Sequence, residues 1–189
     1  SERRMAMDNG ASSYRRFLDG DDTGIVELVE DYKDGLILYL NGYVRNLSVA
    51  EELTEDTFFR LMTRKPRFFG KSSFKVFLYA IGRNVAVDYI RRNSKLLSWG
   101  EAENFLPDEQ DLERSYIKEE RKIQLHRAMF QLPTDYADVL HLVYFEGFSS
   151  REAAMILKKS DRQMKNLLYR AKQSLKSQLE KEGFLYEEF

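Results

Sequence analysis

Near the carboxyl end of the chain, residues 162–170 hold six polar side chains of the types that bind DNA. They are Arg162, Gln163, Lys165, Asn166, Tyr169 and Arg170. Arg can pair with the edge of guanine and Gln or Asn with the edge of adenine, whereas Lys mainly contacts phosphate groups. These residue types predict a surface that reads base sequence and holds the DNA backbone.

Two short helices are predicted to position this segment. Ser149 with Glu152, and Ser160 with Gln163, have the spacing of capping boxes, in which each side chain bonds to the backbone of the other residue. Only a few residues separate the two helices, and the second is polar and basic. This is the helix-turn-helix layout, in which the second helix enters the major groove. An ordinary helical hairpin with a solvated outer face would give the same pattern, so the pair alone leaves both interpretations open.

Charge is unevenly distributed along the 189 residues, although the net charge is only -1. Residues 1–59 sum to -7, residues 60–95 to +9, residues 99–120 to -6 and residues 151–176 to +6. One basic run is usually a solvated helix face. Two basic blocks on capped helices, separated by an acidic block, instead favour two surfaces that bind a polyanion.

Little in the sequence indicates an enzyme or a metal centre. The chain contains no Cys, which excludes a disulfide framework and any Cys-based metal or redox site and fits a reducing cytoplasm. His126 and His141 lie in helical patterns without a partner at metal-ligand spacing, so we interpret them as surface or packed helix residues. We therefore expect no catalytic residue, no metal and no cofactor.

The apolar periodicity predicts helices throughout and therefore an all-α fold. Residues 25–43 follow the i, i+3, i+4, i+7 spacing of one long helix. Ser48 with Glu51 is predicted to open the next helix as a third capping box, and that helix should stop before Pro66. A later helix should start at Thr134 and end at Gly147, a residue type favoured just after helix ends.

A loop is predicted at residues 64–73, which contain a Pro, a Gly and two Ser. Ser72 or Ser73 is expected to cap the helix that follows. Phe74 and Phe77 lie at helical spacing on the apolar side of that helix, so we interpret them as core residues.

The fold is expected to comprise two small helical domains. Residues 98–111 are acidic, contain a Gly and a Pro, and are predicted to form a flexible linker between domains 1–97 and 112–189. The longest apolar runs fall well short of the roughly 20 residues that span a bilayer. No basic-then-apolar leader opens the chain. We expect a cytoplasmic protein that does not insert into a membrane.

Four motifs in a fixed order carry a resemblance to a known family. They are AEELTEDTFFRL (50–61), RFFGKSSFKVFLYAIGRNVAVDYIRR (67–92), LPTDYADVLHLVYFEGFSSREAA (132–154) and MKNLLYRAKQSL (164–175). Together they resemble an extracytoplasmic-function (ECF) sigma factor of the sigma-70 family. The resemblance implies two helical domains, regions two and four, in a subunit that binds core RNA polymerase and directs it to promoter DNA. The family often has an anti-sigma partner as well.

The resemblance also implies a role for each group of residues. The helix that contacts the polymerase clamp would carry Glu51, Glu52, Glu55 and Asp56. The minus-ten element would be bound by a loop that captures a flipped base and by the helix after it, through Phe68, Lys71, Ser72, Ser73, Arg83, Asn84, Asp88, Arg91 and Arg92. The minus-thirty-five element would meet the polar residues of 162–170 described above.

Two points qualify the match. Lys158 stands in the turn of the helix pair where the family usually has Gly, and because Lys adopts positive φ poorly we expect a different backbone path there. The alternative function is a helix-turn-helix transcription regulator that binds DNA but not polymerase. The first basic block and the acidic helix before it count against that alternative.

Overall fold

The computed structural model describes residues 8–97, 116–117 and 119–183. The chain divides into two compact units, Ser1–Ser98 and Trp99–Phe189. All regular secondary structure in the described ranges is helical, which confirms the all-α prediction. The predicted linker, 98–111, lies outside the described residues.

The described residues of the first unit include four helices. They are α1 (Ala11–Leu18), α2 (Thr23–Val44), α3 (Leu47–Arg64) and α4 (Phe74–Leu97). The long helix α2 packs against the other three. Leu28, Leu36, Leu40, Leu61 and Leu78 are all fully buried between these helices. Burying a side chain of this size contributes about 1.5–3 kcal/mol to the stability of the fold. The apolar residues that recur along these helices therefore stabilise the unit.

The start of α3 differs from the prediction. The helix begins at Leu47 rather than after Ser48, and its N-cap is Asn46, whose side chain accepts a hydrogen bond from the amide of Val49 at 3.1 Å. Asn is as good an N-cap as Ser, and the earlier start buries Leu47 almost completely. The helix ends at Arg64, before Pro66, as expected. Ser73 caps α4, as predicted, by accepting from the amide of Val76 at 3.2 Å.

The close crossing of α1 and α2 requires glycine. A methyl group at Gly24 would lie 2.1 Å from the carbonyl oxygen of Ser13 and 2.9 Å from the amide nitrogen of Phe17. Both are backbone atoms, so a rotamer change cannot relieve the clash. We predict that Gly24→Ala lowers the free energy of unfolding by more than about 1 kcal/mol in urea titrations. The control is Gly42→Ala in the same helix, where the added methyl meets nothing within 4 Å. Equal losses in the two variants would contradict the prediction.

The second unit contains four α-helices in the described residues. They are α5 (Glu120–Phe130), α6 (Thr134–Leu140), α7 (Ser150–Leu157) and α8 (Asp161–Lys181). Helix α6 starts at Thr134 as predicted but continues as a π-helical turn, His141–Phe145, and Gly147 follows with φ 70°. The sequence pattern did not indicate the π turn, in which the amide of Glu146 donates to the carbonyl of His141 at 3.1 Å.

Both His residues are packed in this unit. His126 and His141 are almost fully buried, and the ring of His141 stacks on Phe145 with 4.9 Å between centroids. Glu146 lies 3.4 Å from Nε2 of His141. The described residues contain no cluster of three or more side chains suited to hold a metal ion. Of the two alternatives for these His residues, surface or packed, their burial favours the packed one.

The turn between α7 and α8 corrects another expectation. Lys158 adopts the left-handed conformation, with φ 54° and ψ 47°, and the amide of Lys158 donates to the carbonyl of Ala154. The turn therefore adopts the left-handed conformation that Gly favours, with a Lys in its place. The cost of placing a side chain at positive φ, on the order of 1 kcal/mol, is borne by the packing of the two helices.

Candidate functional surfaces

The acidic residues of α3 surround two exposed apolar side chains. Glu52, Glu55 and Asp56 are exposed and Glu51 is half-buried. Phe59 is 64% exposed and Met62 is 42% exposed. Helical spacing of three, four and seven residues puts all six on one side of α3, which we call the α3 surface. Sequence reasoning assigned only the four carboxylates and missed Phe59 and Met62.

An apolar centre with a charged rim is the usual anatomy of a protein–protein interface. The neighbouring Phe58 is buried, with 5% exposure, so the two consecutive Phe residues of α3 have opposite surroundings. Leaving a large aromatic side chain in water forgoes the free energy of its burial. The α3 surface is therefore suited to hold a protein partner.

The loop between α3 and α4, residues 65–73, holds two consecutive Phe side chains in different surroundings. Phe68 is half-buried and packs against Phe74 and Phe77, with ring centroids 5.5 and 5.2 Å apart. Phe69 is instead 74% exposed, next to Gly70 at φ 71°. Phe68 thus supports the loop from beneath, while Phe69 is the ring that can stack on a base. Phe74 is fully buried, as expected of a core residue.

The polar residues of the loop also divide by surroundings. Lys71 is exposed, and the hydroxyl of Ser73 is engaged as the cap of α4. The hydroxyl of Ser72 lies 3.4 Å from the carbonyl of Ser73. Arg67 and Lys71 therefore each supply an exposed cation two residues from Phe69, and the hydroxyl of Ser73 caps α4.

The predicted DNA-binding residues of α4 form a largely cationic face. Asn84, Arg91 and Arg92 are exposed, and Arg83 donates from Nε to the hydroxyl of Tyr43 at 2.9 Å. Asp88 pairs with Arg60 at 3.8 Å and with Arg91 at 4.0 Å. Because two guanidinium groups flank its one carboxylate, the face keeps a positive charge suited to phosphates. Arg60, on α3, was missing from the sequence prediction.

The helix pair α7–α8 forms as predicted, with both capping boxes in place. Ser149 accepts from the amide of Glu152 at 3.1 Å, and Ser160 accepts from the amide of Gln163 at 3.2 Å. Met164, Ala171, Leu175 and Leu179 form the buried side of α8. All six predicted DNA-binding residues, 162–170, are exposed on the other sides of the helix, which we call the α8 face.

Gln163 has a second role on this face. Its side-chain oxygen accepts from the amide of Ser160 at 3.0 Å, which leaves its NH₂ group to donate to a base. A shallow depression beside it is lined by residues of both helices: Ser150, Arg151, Asp161, Arg162 and Lys165. Arg151 thus joins the cationic groups at the amino end of α8, and sequence reasoning had not assigned it.

Models of known protein families match residues in both units of the chain. The model of sigma-70 region 2 matches residues 28–96, and the model of sigma-70 region 4 matches residues 122–175. The chain belongs to the sigma-70 family. The first match contains the α3 surface, the loop and α4 up to residue 96, and the second contains α7 and the part of α8 up to residue 175.

Characterised relatives resemble this sigma factor over most of its length. The ECF RNA polymerase sigma factor SigX of Bacillus subtilis is 25% identical over 164 residues, covering 81% of this chain and 82% of SigX. SigM of the same organism, also an ECF RNA polymerase sigma factor, is 26% identical over 153 residues, covering 81% of this chain and 93% of SigM. Together with the two regions, they show that the protein is an RNA polymerase sigma factor of the ECF type.

Solved structures share the fold of this sigma factor. CnrH, solved with the cytosolic domain of CnrY, superposes with a TM-score of 0.64 at 20% identity, covering 90% of this chain and 94% of that one. RpoE of Bartonella quintana, solved with the anti-sigma factor NepR, gives a TM-score of 0.65 at 21% identity, covering 82% and 95%. The alternative of a DNA-binding regulator without polymerase binding is not needed, because region 2 accompanies region 4.

Proposed function

We propose that this sigma factor divides promoter recognition among three surfaces. The α3 surface binds core RNA polymerase, the loop 65–73 with α4 binds the minus-ten element, and the α8 face reads the minus-thirty-five element. The observation that carries the proposal is the separation of charge in region 2. Carboxylates surround exposed Phe59 on α3, whereas cations accompany exposed Phe69 and the outer side of α4.

The minus-ten assignment rests on what a separated strand needs. Removing a base from the stack costs a few kcal/mol. Stacking of that base on an aromatic ring and contacts of nearby cations with the phosphates can offset this cost. Phe69 offers such a ring, Lys71 lies two residues away, and Arg91 and Arg92 supply exposed cations on α4. Base–aromatic stacking alone tolerates all sequences, so discrimination requires that the ring present the base to a polar group. Asn84, with a donor and an acceptor, is the candidate for that group.

The minus-thirty-five assignment rests on the amino end of α8. Arg162, Lys165 and Asn166 are exposed within its first two turns, and the N-terminal residues of a recognition helix are the ones that reach base edges. The capping boxes fix where α7 ends and α8 starts, so these side chains are presented from a rigid frame.

The protein acts as an initiation factor and not as an enzyme in this proposal. Bond formation belongs to the polymerase, and the sigma factor needs no cofactor. It works where RNA polymerase works, in the cytoplasm. No helix in the described ranges meets the length and hydropathy required to cross a bilayer. Because RpoE of Bartonella quintana was solved with an anti-sigma factor, we include an anti-sigma protein among the partners of this chain.

Phe59 should act as an anchor on the polymerase. Phe59→Ala is expected to weaken binding of core polymerase by about tenfold or more, because buried aromatic anchors dominate interface energies. The loss should be nearly independent of salt, since the side chain is uncharged. Val26→Ala on α2 is a matched control, because Val26 is also exposed, at 53%. Fluorescence titration of the labelled sigma factor with core enzyme measures both; similar affinities for the two variants would contradict an anchor role.

Start-site mapping tests the proposed function as a whole. Core polymerase and fragmented genomic DNA of the source organism are incubated with and without the protein, and transcript 5′ ends are sequenced. New starts should share two sequence elements at a fixed spacing. Starts identical to those of core enzyme alone would overturn the proposal.

A further inference from the structure

Helix α1 contacts the loop 65–73 through two residues one turn apart. The hydroxyl of Tyr14 donates to the carbonyl of Pro66 at 2.6 Å, and Tyr14 is only 1% exposed. The ammonium of Lys65 lies 5.4 Å from the centre of the Phe17 ring. Tyr14 and Phe17 share one side of α1. Helix α1 precedes the region 2 match, and neither residue has a part in the surfaces described above.

The first turn of the loop needs support from outside. Lys65 adopts a left-handed conformation, with φ 44° and ψ 55°, directly before Pro66. A side chain at positive φ is strained, and a following proline disfavours helical conformations further. Such a backbone persists only when its surroundings hold it. Phe17 contacts the strained Lys65, and Tyr14 bonds to the next residue, Pro66.

The ring of Tyr14 connects this support to the exposed aromatic. It packs on Phe74 with centroids 5.1 Å apart and on Phe77 at 6.2 Å, and Phe68 packs on the same two rings. With Phe68 held from beneath, the next residue, Phe69, is directed into solvent. Displacing Pro66 or Phe68 would therefore change where Phe69 is presented.

Helix α1 is itself fixed to α2, so it can act as a rigid support. The hydroxyl of Ser13 donates to the carboxylate of Glu27 at 2.7 Å, and Arg16 pairs with the same carboxylate. The close crossing at Gly24 adds to this. Burial raises the pKa of Tyr14 to about 12, so its hydroxyl stays a proton donor over the range in which proteins function.

We infer that Tyr14 is a positioning residue for promoter binding, which holds the loop 65–73 in the shape that lets Phe69 and its neighbours receive a base. The inference rests on the proposed minus-ten role of the loop. It extends the recognition machinery to α1, a helix outside the proposed DNA-binding surfaces. Loss of the Tyr14 hydroxyl should therefore reduce the discrimination between bases at the minus-ten element, in addition to any loss of folding stability.

The test uses holoenzyme assembled from the full chain and core polymerase. The probes are premelted templates built on a promoter from the start-site mapping, with each of the four bases in turn at every minus-ten position of the non-template strand. The measurement is the ratio of affinities for the best and worst base. Tyr14→Phe should lower the largest ratio by about fivefold, which corresponds to the roughly 1 kcal/mol of one hydrogen bond.

Tyr32→Phe is the matched control. The hydroxyl of Tyr32 also donates to a backbone carbonyl in the same unit, but that carbonyl belongs to Asn9 and not to the loop. This variant should keep the wild-type ratio. As a second readout, trypsin should cut after Arg67 and Lys71 faster in Tyr14→Phe than in Tyr32→Phe, at matched thermal stability.

The outcomes separate the inference from the function on which it rests. An unchanged ratio in Tyr14→Phe, or an equal decrease in both variants, overturns the positioning role and leaves the loop assignment standing. A wild-type holoenzyme that shows no base preference on any premelted template contradicts the loop assignment itself, and the inference falls with it.

Discussion

The double variant Glu52→Lys/Asp56→Lys is expected to weaken the binding of core RNA polymerase by at least about 100-fold. It reverses two charges on the α3 surface, and bringing like charges together at an interface costs several kcal/mol. Both side chains are exposed, one turn apart on α3, beside Phe59. No described hydrogen bond or ion pair of the fold depends on either of them. The isolated variant should therefore keep its helical content and its unfolding temperature.

The control is a second double reversal with the same change in net charge. Glu30 and Asp34 are exposed and lie one turn apart on α2, outside the α3 surface, so Glu30→Lys/Asp34→Lys should bind polymerase nearly as the wild type does. Titrations at two salt concentrations add a check, because the loss from Glu52→Lys/Asp56→Lys should shrink as salt screens the charges. Co-elution of that variant with core enzyme at wild-type affinity would remove α3 from the polymerase interface.

Local signals explain why most helices could be predicted from the sequence. A capping box involves residues three apart, so Ser149 with Glu152 and Ser160 with Gln163 determine the starts of α7 and α8 without help from the rest of the fold. The apolar period of residues 25–43 likewise defines α2. At α3 the same rule failed, because Asn46 competes with Ser48 as a cap, and the burial of Leu47 decided between them.

The exposed aromatic residues could not be predicted in the same way. The chain has two Phe-Phe pairs, and in each pair one ring packs while the other faces solvent. In α3, helical spacing from the carboxylates could have identified Phe59 as the outer one. In the loop no period applies. Phe68 packs against Phe74 and Phe77, which leaves Phe69 exposed. Although these residues are close in sequence, no local pattern indicates which of the two rings will pack.

Lys158 shows a third limit. Left-handed backbone favours Gly, so the sequence argued against that conformation there, yet the tight turn adopts it with a Lys. The capped helices on either side determine the path, and packing of α7 on α8 compensates for a cost on the order of 1 kcal/mol. The preference of Lys against left-handed backbone was therefore weaker than the packing of α7 on α8. The assignments to DNA and polymerase remain predictions that the variants must test.

Substitution of Arg162 by Ala is expected to change the sequence preference of the holoenzyme at one minus-thirty-five position by about 1–3 kcal/mol, the discrimination carried by one paired contact with a base. Arg162 is exposed in the first turn of α8 and lines the depression shared with α7. Lys165→Ala should instead weaken binding to promoter and scrambled duplexes alike and lower the salt slope by roughly one, as expected for a phosphate contact.

Gln163 needs a different substitution from Ala. Its side-chain oxygen accepts from the amide of Ser160, so Gln163→Ala would also remove half of the capping box, and its effect on DNA could not be separated from fraying of α8. Gln163→Glu keeps an acceptor for that amide and replaces the outward NH₂ donor by an acceptor. If Gln163 reads a base, Gln163→Glu should change the preferred base at one position while the helix stays capped.

Lys176→Ala serves as the control for all three, because Lys176 is exposed on the same helix roughly 20 Å beyond Arg162 at 1.5 Å per residue. It should change neither base preference nor salt slope appreciably. Holoenzyme is titrated with promoter and scrambled duplexes at several salt concentrations for each variant. Equal small effects from Arg162→Ala, Lys165→Ala and Lys176→Ala would mean that the α8 face is only solvated surface, and region 4 would then contribute to polymerase binding alone.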